Sequence, residues 1–105
     1  GLDQLTALKT LDVGSCGLYS CEDVSFPPNL NHLALNDNRL SVFPMGILTL
    51  KRLRRIDLQG NIQIKHIPDG ITELRNLKFL NLKDTGVPGS EIEYLKIKMP
   101  WCKIE

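Results

Sequence analysis

The chain has 105 residues, 42% of them hydrophobic, with 13 basic against 12 acidic side chains and a net charge of +1. At this length it forms one domain, residues 1–105, that buries roughly 60–70% of its unfolded surface. Balanced charge excludes bulk attraction to nucleic acid or an anionic membrane, no apolar run is long enough to span a bilayer, and three cysteines without a Cys-x-x-Cys pair exclude a disulfide framework or a zinc ribbon.

The opening Gly1-Leu2-Asp3-Gln4-Leu5 has the phase of a segment that recurs downstream, so the chain starts in mid-repeat. With no initiator methionine, it reads as the C-terminal part of a longer chain. The first full unit is Leu8-x-x-Leu11-x-Val13-x-x-Cys16-x-Leu18, and the second is Leu30-x-x-Leu33-x-Leu35-x-x-Asn38-x-Leu40. The third runs Leu53-x-x-Ile56-x-Leu58-x-x-Asn61, and the fourth Leu77-x-x-Leu80-x-Leu82-x-x-Thr85-x-Val87. Their first leucines stand 22, 23 and 24 residues apart, the signature of stacked repeats. Strands are predicted near 8–13, 30–35, 53–58 and 77–82. Side chains on a strand alternate, so Leu33 and Leu35 enter the core while His32, Ala34 and Asn36 face the other way. Cys16, Asn38, Asn61 and Thr85 occupy one repeat position and form the expected ladder. An asparagine amide there both donates and accepts, which suits backbone groups left unpaired where the chain turns off the sheet.

Between strands, 43–50 and 67–74 match position for position and predict short helical turns whose Ile47/Leu50 and Ile71/Leu74 pairs point onto the sheet. The 19–28 stretch contains Phe26-Pro27-Pro28, which forbids helix and predicts an extended crossing. Residues 88–105 change character. Ser90 with Glu93 forms a capping-box pattern and Pro100 stops the helix it opens. Glu91 and Glu93 then sit at the positive end, and Lys96 and Lys98 at the negative end. Ile92, Leu95 and Met99 make an apolar stripe that covers the last repeat. Trp101 to Glu105 alternates and predicts a final short strand.

These four in-phase copies resemble the leucine-rich-repeat family across essentially the whole chain. The ending Met99-Pro100-Trp101-Cys102-Lys103-Ile104 and the strand entry Phe26-Pro27-Pro28-Asn29-Leu30 are similar to those of bacterial members. The resemblance implies an α/β fold: a right-handed solenoid with a short parallel sheet on its concave face and a C-terminal capping helix. It further implies a non-enzymatic module without cofactor that recognises a protein or peptide, with a leaning to a secreted or cell-surface place in a bacterium. Cys16 and Thr85 depart from the family's asparagine, and no N-terminal cap is visible.

The outward strand positions are Thr10, Asp12 and Gly14, then His32, Ala34 and Asn36, then Arg55, Asp57 and Gln59, then Phe79, Asn81 and Lys83. They form the candidate partner-binding face. Phe79 is a plausible anchor and Arg55 beside it a directional contact, since aromatics and arginine dominate interfaces. The alternative is that this face is simply solvated.

Other chemistry finds little support. Alternation splits the basic run Lys51 to Arg55 and no stacking aromatics accompany it, so no nucleic acid is expected. His32 and His66 lie on different turns, and Asp12 and Asp57 are two repeats apart, too far for an acid–base pair. No catalytic residue and no metal site are expected, and no phosphate or calcium loop is present. Cys16 reads as a buried thiol or, in an oxidising compartment, as a partner for Cys21; Cys102 reads as core. The expectation is a monomer that recognises an unidentified protein or peptide. The competing expectation is a structural or sensory C-terminal segment of a larger protein whose activity lies upstream.

Overall fold

The computed structural model describes residues 1–22 and 24–105. Five strands, β1 (Thr10–Asp12), β2 (His32–Ala34), β3 (Arg55–Asp57), β4 (Phe79–Asn81) and β5 (Lys103–Ile104), stack in sequence order as one parallel sheet. The register runs without slippage, so Leu11, Leu33, Ile56, Leu80 and Ile104 form one file across it. From Leu33 onward that file is buried, together with Leu35, Leu58 and Leu82 one step further along the chain. The crossovers between parallel neighbours take the right-handed sense that strand twist imposes.

On the far side of the core, 3-10 turns cover Met45–Thr49 and Asp69–Glu73, each pressing its isoleucine, Ile47 or Ile71, fully into the interior. A third turn, Leu2–Gln4, has the same phase but buries nothing. The extended crossing expected over 19–28 contains Asp23, which lies outside the described residues; the residues described on either side of it carry no helix, and Phe26 plugs into the core.

The bend after each strand passes through a left-handed residue: Ser15 (φ 56°), Asp37 (57°), Gly60 (86°) and Asp84 (56°). These fall one residue before the ladder positions. Serine, aspartate and glycine suit the site because short polar side chains tolerate this region and glycine has no Cβ to clash.

The asparagine ladder is shorter than expected. Asn38 Oδ1 accepts from the backbone N–H of Cys16 and Leu18, and its amide nitrogen donates to the carbonyls of Val13 and Leu35. Asn61 Oδ1 accepts from Leu40 N–H, while its nitrogen donates to Leu35 and Leu58 carbonyls. Both therefore tie one turn to the turn before it. Thr85 does not: its hydroxyl donates to Leu82 carbonyl at 2.7 Å, within its own turn, because the shorter side chain cannot reach back. At the last join the backbones approach each other instead. A Cβ on Gly86 would stand 2.7 Å from Ile62 carbonyl oxygen and 3.0 Å from that of Ile64. Cys16 is also no ladder member. It is an exposed free thiol whose sulfur lies 3.5 Å from the Gly14 carbonyl oxygen.

Neither the bridge to Cys21 nor a buried Cys16 is found: all three cysteines are free, with Cys21 and Cys102 buried. Burial raises both of those thiols, Cys102 to about 11. A thiol reagent at about pH 8 is therefore expected to label Cys16 alone in the folded chain, and all three after denaturation, because the thiolate is the reactive form. Rapid native labelling of Cys21 or Cys102 contradicts this packing.

The C-terminal helix α1 spans Gly89–Lys98 with Pro88 at its N-cap, so it starts two residues earlier than the capping-box reading. No side chain caps it. Pro88 carbonyl accepts from Glu91 and Ile92 N–H, which places Ser90 inside the first turn rather than before it. Glu91 reaches across instead, accepting from Ile67 N–H at 2.8 Å and lying 3.3 Å from His66 Nδ1. Leu95 and Met99 are buried against the last repeat, with Ile92 half-buried beside them, as the stripe requires. Trp101 Nε1 donates to Leu74 carbonyl at 3.3 Å, and Lys103–Ile104 then closes the sheet.

Candidate functional site

The sheet presents its outward side chains in straight rows, because aligned parallel strands place equivalent residues side by side about 4.8 Å apart. The first row is Thr10, His32, Arg55, Phe79 and Lys103; the second is Asp12, Ala34, Asp57 and Asn81. Just beyond the strands, backbone bonds from Ser15 to Asn36, Asp37 to Gln59 and Gly60 to Lys83 carry the order into a third row of Gly14, Asn36, Gln59 and Lys83.

The second row is partly structural. Asp12 Oδ1 accepts from Gly14 N–H at 2.9 Å, Asp57 Oδ1 from Gln59 N–H at 3.0 Å, and Asn81 Oδ1 from Lys83 N–H at 3.0 Å. An oxygen on a short side chain turns the strand end in three of the four repeats, the local bond that aspartate and asparagine favour. Asn81 is only 7% exposed and also donates to Gln59 Oε1 at 2.9 Å, so it braces the face rather than meeting a partner. Ala34 is buried between its neighbours. The recurrence of Asp12, Asp57 and Asn81 at one repeat position was the available signal for this role.

The first row is different. Arg55, exposed, lies with its guanidinium 4.3 Å from the centroid of the Phe79 ring on the adjacent strand. At that distance the cation is attracted by the electron-rich face of the ring. Among the described residues no carboxylate lies within 4 Å of it. The carboxylates of the face are otherwise engaged: Asp12 and Asp57 by their own turns, and Glu105 by Lys83 at 3.3 Å and Lys103 at 3.5 Å. The Lys83 hydrogen bond, with Lys103 adding to it, holds the Glu105 carboxyl below its ordinary range. Thr10 and Asp12 lie exposed at the open edge; His32, Asn36, Asp57 and Gln59 are half-buried, and Lys83 is exposed. The face thus brings the expected side chains together, with Asn81 buried among them.

Among the described residues no cluster of histidine, cysteine, aspartate or glutamate is arranged to hold a metal ion, and no helix is long and apolar enough to cross a membrane.

A parallel sheet built one strand per turn, backed by 3-10 crossings and sealed at one end by a helix, defines a solenoid repeat protein of the α/β class. The chain belongs to the leucine-rich repeat family, whose model, "Leucine rich repeat", matches residues 6–62 and 28–87. It is similar to a leucine-rich-repeat protein of Leptospira interrogans, with a TM-score of 0.87 and 30% identity over 98% of this chain and 26% of that one. It is 34% identical over 82 residues to acidic leucine-rich nuclear phosphoprotein 32 family member A of Drosophila melanogaster, covering 76% of this chain and 31% of that protein. It is also 34% identical over 67 residues to receptor like protein 22 of Arabidopsis thaliana, covering 64% of this chain and 9% of that protein. The chain therefore spans about a third or less of the length of these relatives. Leucine-rich repeat domains are generally protein-interaction modules, and their fold is typically non-enzymatic.

Proposed function

We propose that this chain is a non-enzymatic recognition module that binds a protein or peptide through the concave face of its sheet, as a monomer and without cofactor or nucleic acid. The observation that supports this reading is the Arg55–Phe79 stack. It combines an apolar plate with a cation that makes no ion pair among the described residues, and guanidinium donors suit a carboxylate of the partner in a two-pronged contact. Thr10, His32, Asn36, Gln59 and Lys83 surround the stack as adaptable polar contacts. Because the strands are fixed by registered backbone bonds, little conformational freedom is lost on binding.

The coverage of the relatives favours a second reading, in which the same face serves as the sensory or structural end of a longer protein whose activity lies upstream. A receptor-like protein among the relatives accords with that arrangement.

A partner captured from the source cells and purified tests the first reading. The Arg55→Ala/Phe79→Ala variant is expected to bind it at least about tenfold more weakly than wild type, since central arginine and aromatic residues each contribute about 1–2 kcal/mol or more. Equal affinity for both forms contradicts recognition through the stack.

A further inference from the structure

A second surface lies off the sheet, along the loops and crossings of the second and third turns. Between the second and third crossings a groove of about 590 Å³ runs open to solvent, floored by Phe43 and Ile67 and walled by Val42, Met45 and Pro68. Val42 and Met45 are 54% and 61% exposed. Single exposed apolar residues need no explanation, but here the chain contains its own control. The segments 43–50 and 67–74 are matched copies, and the buried apolar positions keep their character: Phe43 with Ile67, Ile47 with Ile71, Leu50 with Leu74. At two of the outward positions, Val42 and Met45 are answered by His66 and Asp69, both exposed and polar. The fold therefore tolerates polar residues exactly where this groove is apolar.

The charge among the lining residues is one-sided. The only ionisable lining groups are Lys65 and His66, with no carboxylate among the lining residues. His66 already faces Glu91 from the capping helix, whereas Lys65 makes no ion pair among the described residues. Glu22 lies beyond Met45, on the other side of the ridge that Val42 and Met45 form.

We propose that this groove is a second docking site, separate from the concave face, for a protein segment that inserts one or two large aliphatic or aromatic side chains flanked directly by an acidic residue. The volume matches the range of pockets that hold such groups. The apolar walls take the anchor, and Lys65 meets the carboxylate. A basic or uncharged flank gains nothing there, so Lys65 sets the preference.

The test uses the whole chain and a displayed library of random peptides. Recovered peptides are then measured individually against wild type and three variants. Val42→His/Met45→Asp gives the second crossing the residues that the third carries at the same two positions and so preserves the fold; Lys65→Glu reverses the local charge; Arg55→Ala/Phe79→Ala alters only the concave face. The expected result is a set of peptides pairing a large apolar residue with aspartate or glutamate. These bind the first two variants at least about tenfold more weakly, and the concave variant as well as wild type. The proposal is overturned if no peptide depends on Val42 and Met45, if the dependent peptides carry no acidic flank, or if Val42→His/Met45→Asp instead abolishes self-association, which assigns the groove to a second copy. Loss of binding only in the concave variant overturns the groove while leaving the concave reading intact.

Discussion

Replacing Asn61 with alanine is expected to lower the unfolding free energy by about 2–4 kcal/mol, measured by urea or thermal denaturation. The side chain is fully buried and joins two turns through three hydrogen bonds. Its removal leaves Leu40 N–H without its acceptor inside the protein, and an unsatisfied buried group costs about 1–3 kcal/mol before the lost packing is counted. The carbonyls of Leu35 and Leu58 keep other donors, Asn38 Nδ2 and Asn61 N–H respectively, so the orphaned donor dominates. Asn61→Asp is expected to be at least as damaging. A carboxylate accepts from Leu40 but cannot donate to the two carbonyls, and it puts an unpaired charge in the interior. Thr85→Ala, which removes bonds within a single turn at a half-buried site, is expected to cost about 1 kcal/mol. Equal losses at Asn61 and Thr85 contradict the assignment of the ladder to Asn38 and Asn61.

Leu35→Ala is expected to destabilise by about 2–4 kcal/mol, and Asn36→Ala by under about 0.5 kcal/mol, although the two residues are adjacent. Leu35 has no exposed surface and sits in the central cluster between Leu58 and the strand file, where a truncated side chain leaves a cavity that flanking turns cannot close. Asn36 points from the sheet, and its amide donates only to Asp37 at 3.0 Å on the surface. The contrast measures the alternation that separates core from binding face. Comparable losses at both positions, or a larger loss at Asn36, contradict it.

Most of the architecture was legible because it rests on one periodic demand. Each turn must bury the same leucines, so Leu8, Leu30, Leu53 and Leu77 announce the period, and the strands, crossings, capping helix and final strand follow from it. What escaped the sequence reading rests on residues with several possible partners. Aspartate and asparagine can turn the backbone, cap a helix, clamp a neighbouring turn or face a ligand. Nothing local marked Asp57 and Asn81 as strand-end turns, or Asp37 and Asp84 as left-handed bends, although all four recur at fixed repeat positions. Ser90 and Glu93 matched a local pattern, but the helix began from Pro88, and the carboxylate that matters, Glu91, is committed by a contact 24 residues away in sequence at Ile67. Cys16 looked buried because its position is buried in the second and third turns. At the first turn that position is exposed instead.

The face itself was legible as a set of positions, yet its chemistry needed the register. Only the pairing of Arg55 with Phe79 on the next strand, and the engagement of Asp12, Asp57 and Glu105 elsewhere, shows Arg55 stacked and without an ion pair among the described residues.

Amide-resolved NMR of the labelled chain titrated with its captured partner tests this directly. Shift changes are expected to gather on Thr10, His32, Asn36, Arg55, Gln59, Phe79 and Lys83, centred on the third and fourth strands. Changes confined to the crossings and the helix, with these seven unmoved, contradict recognition by the sheet.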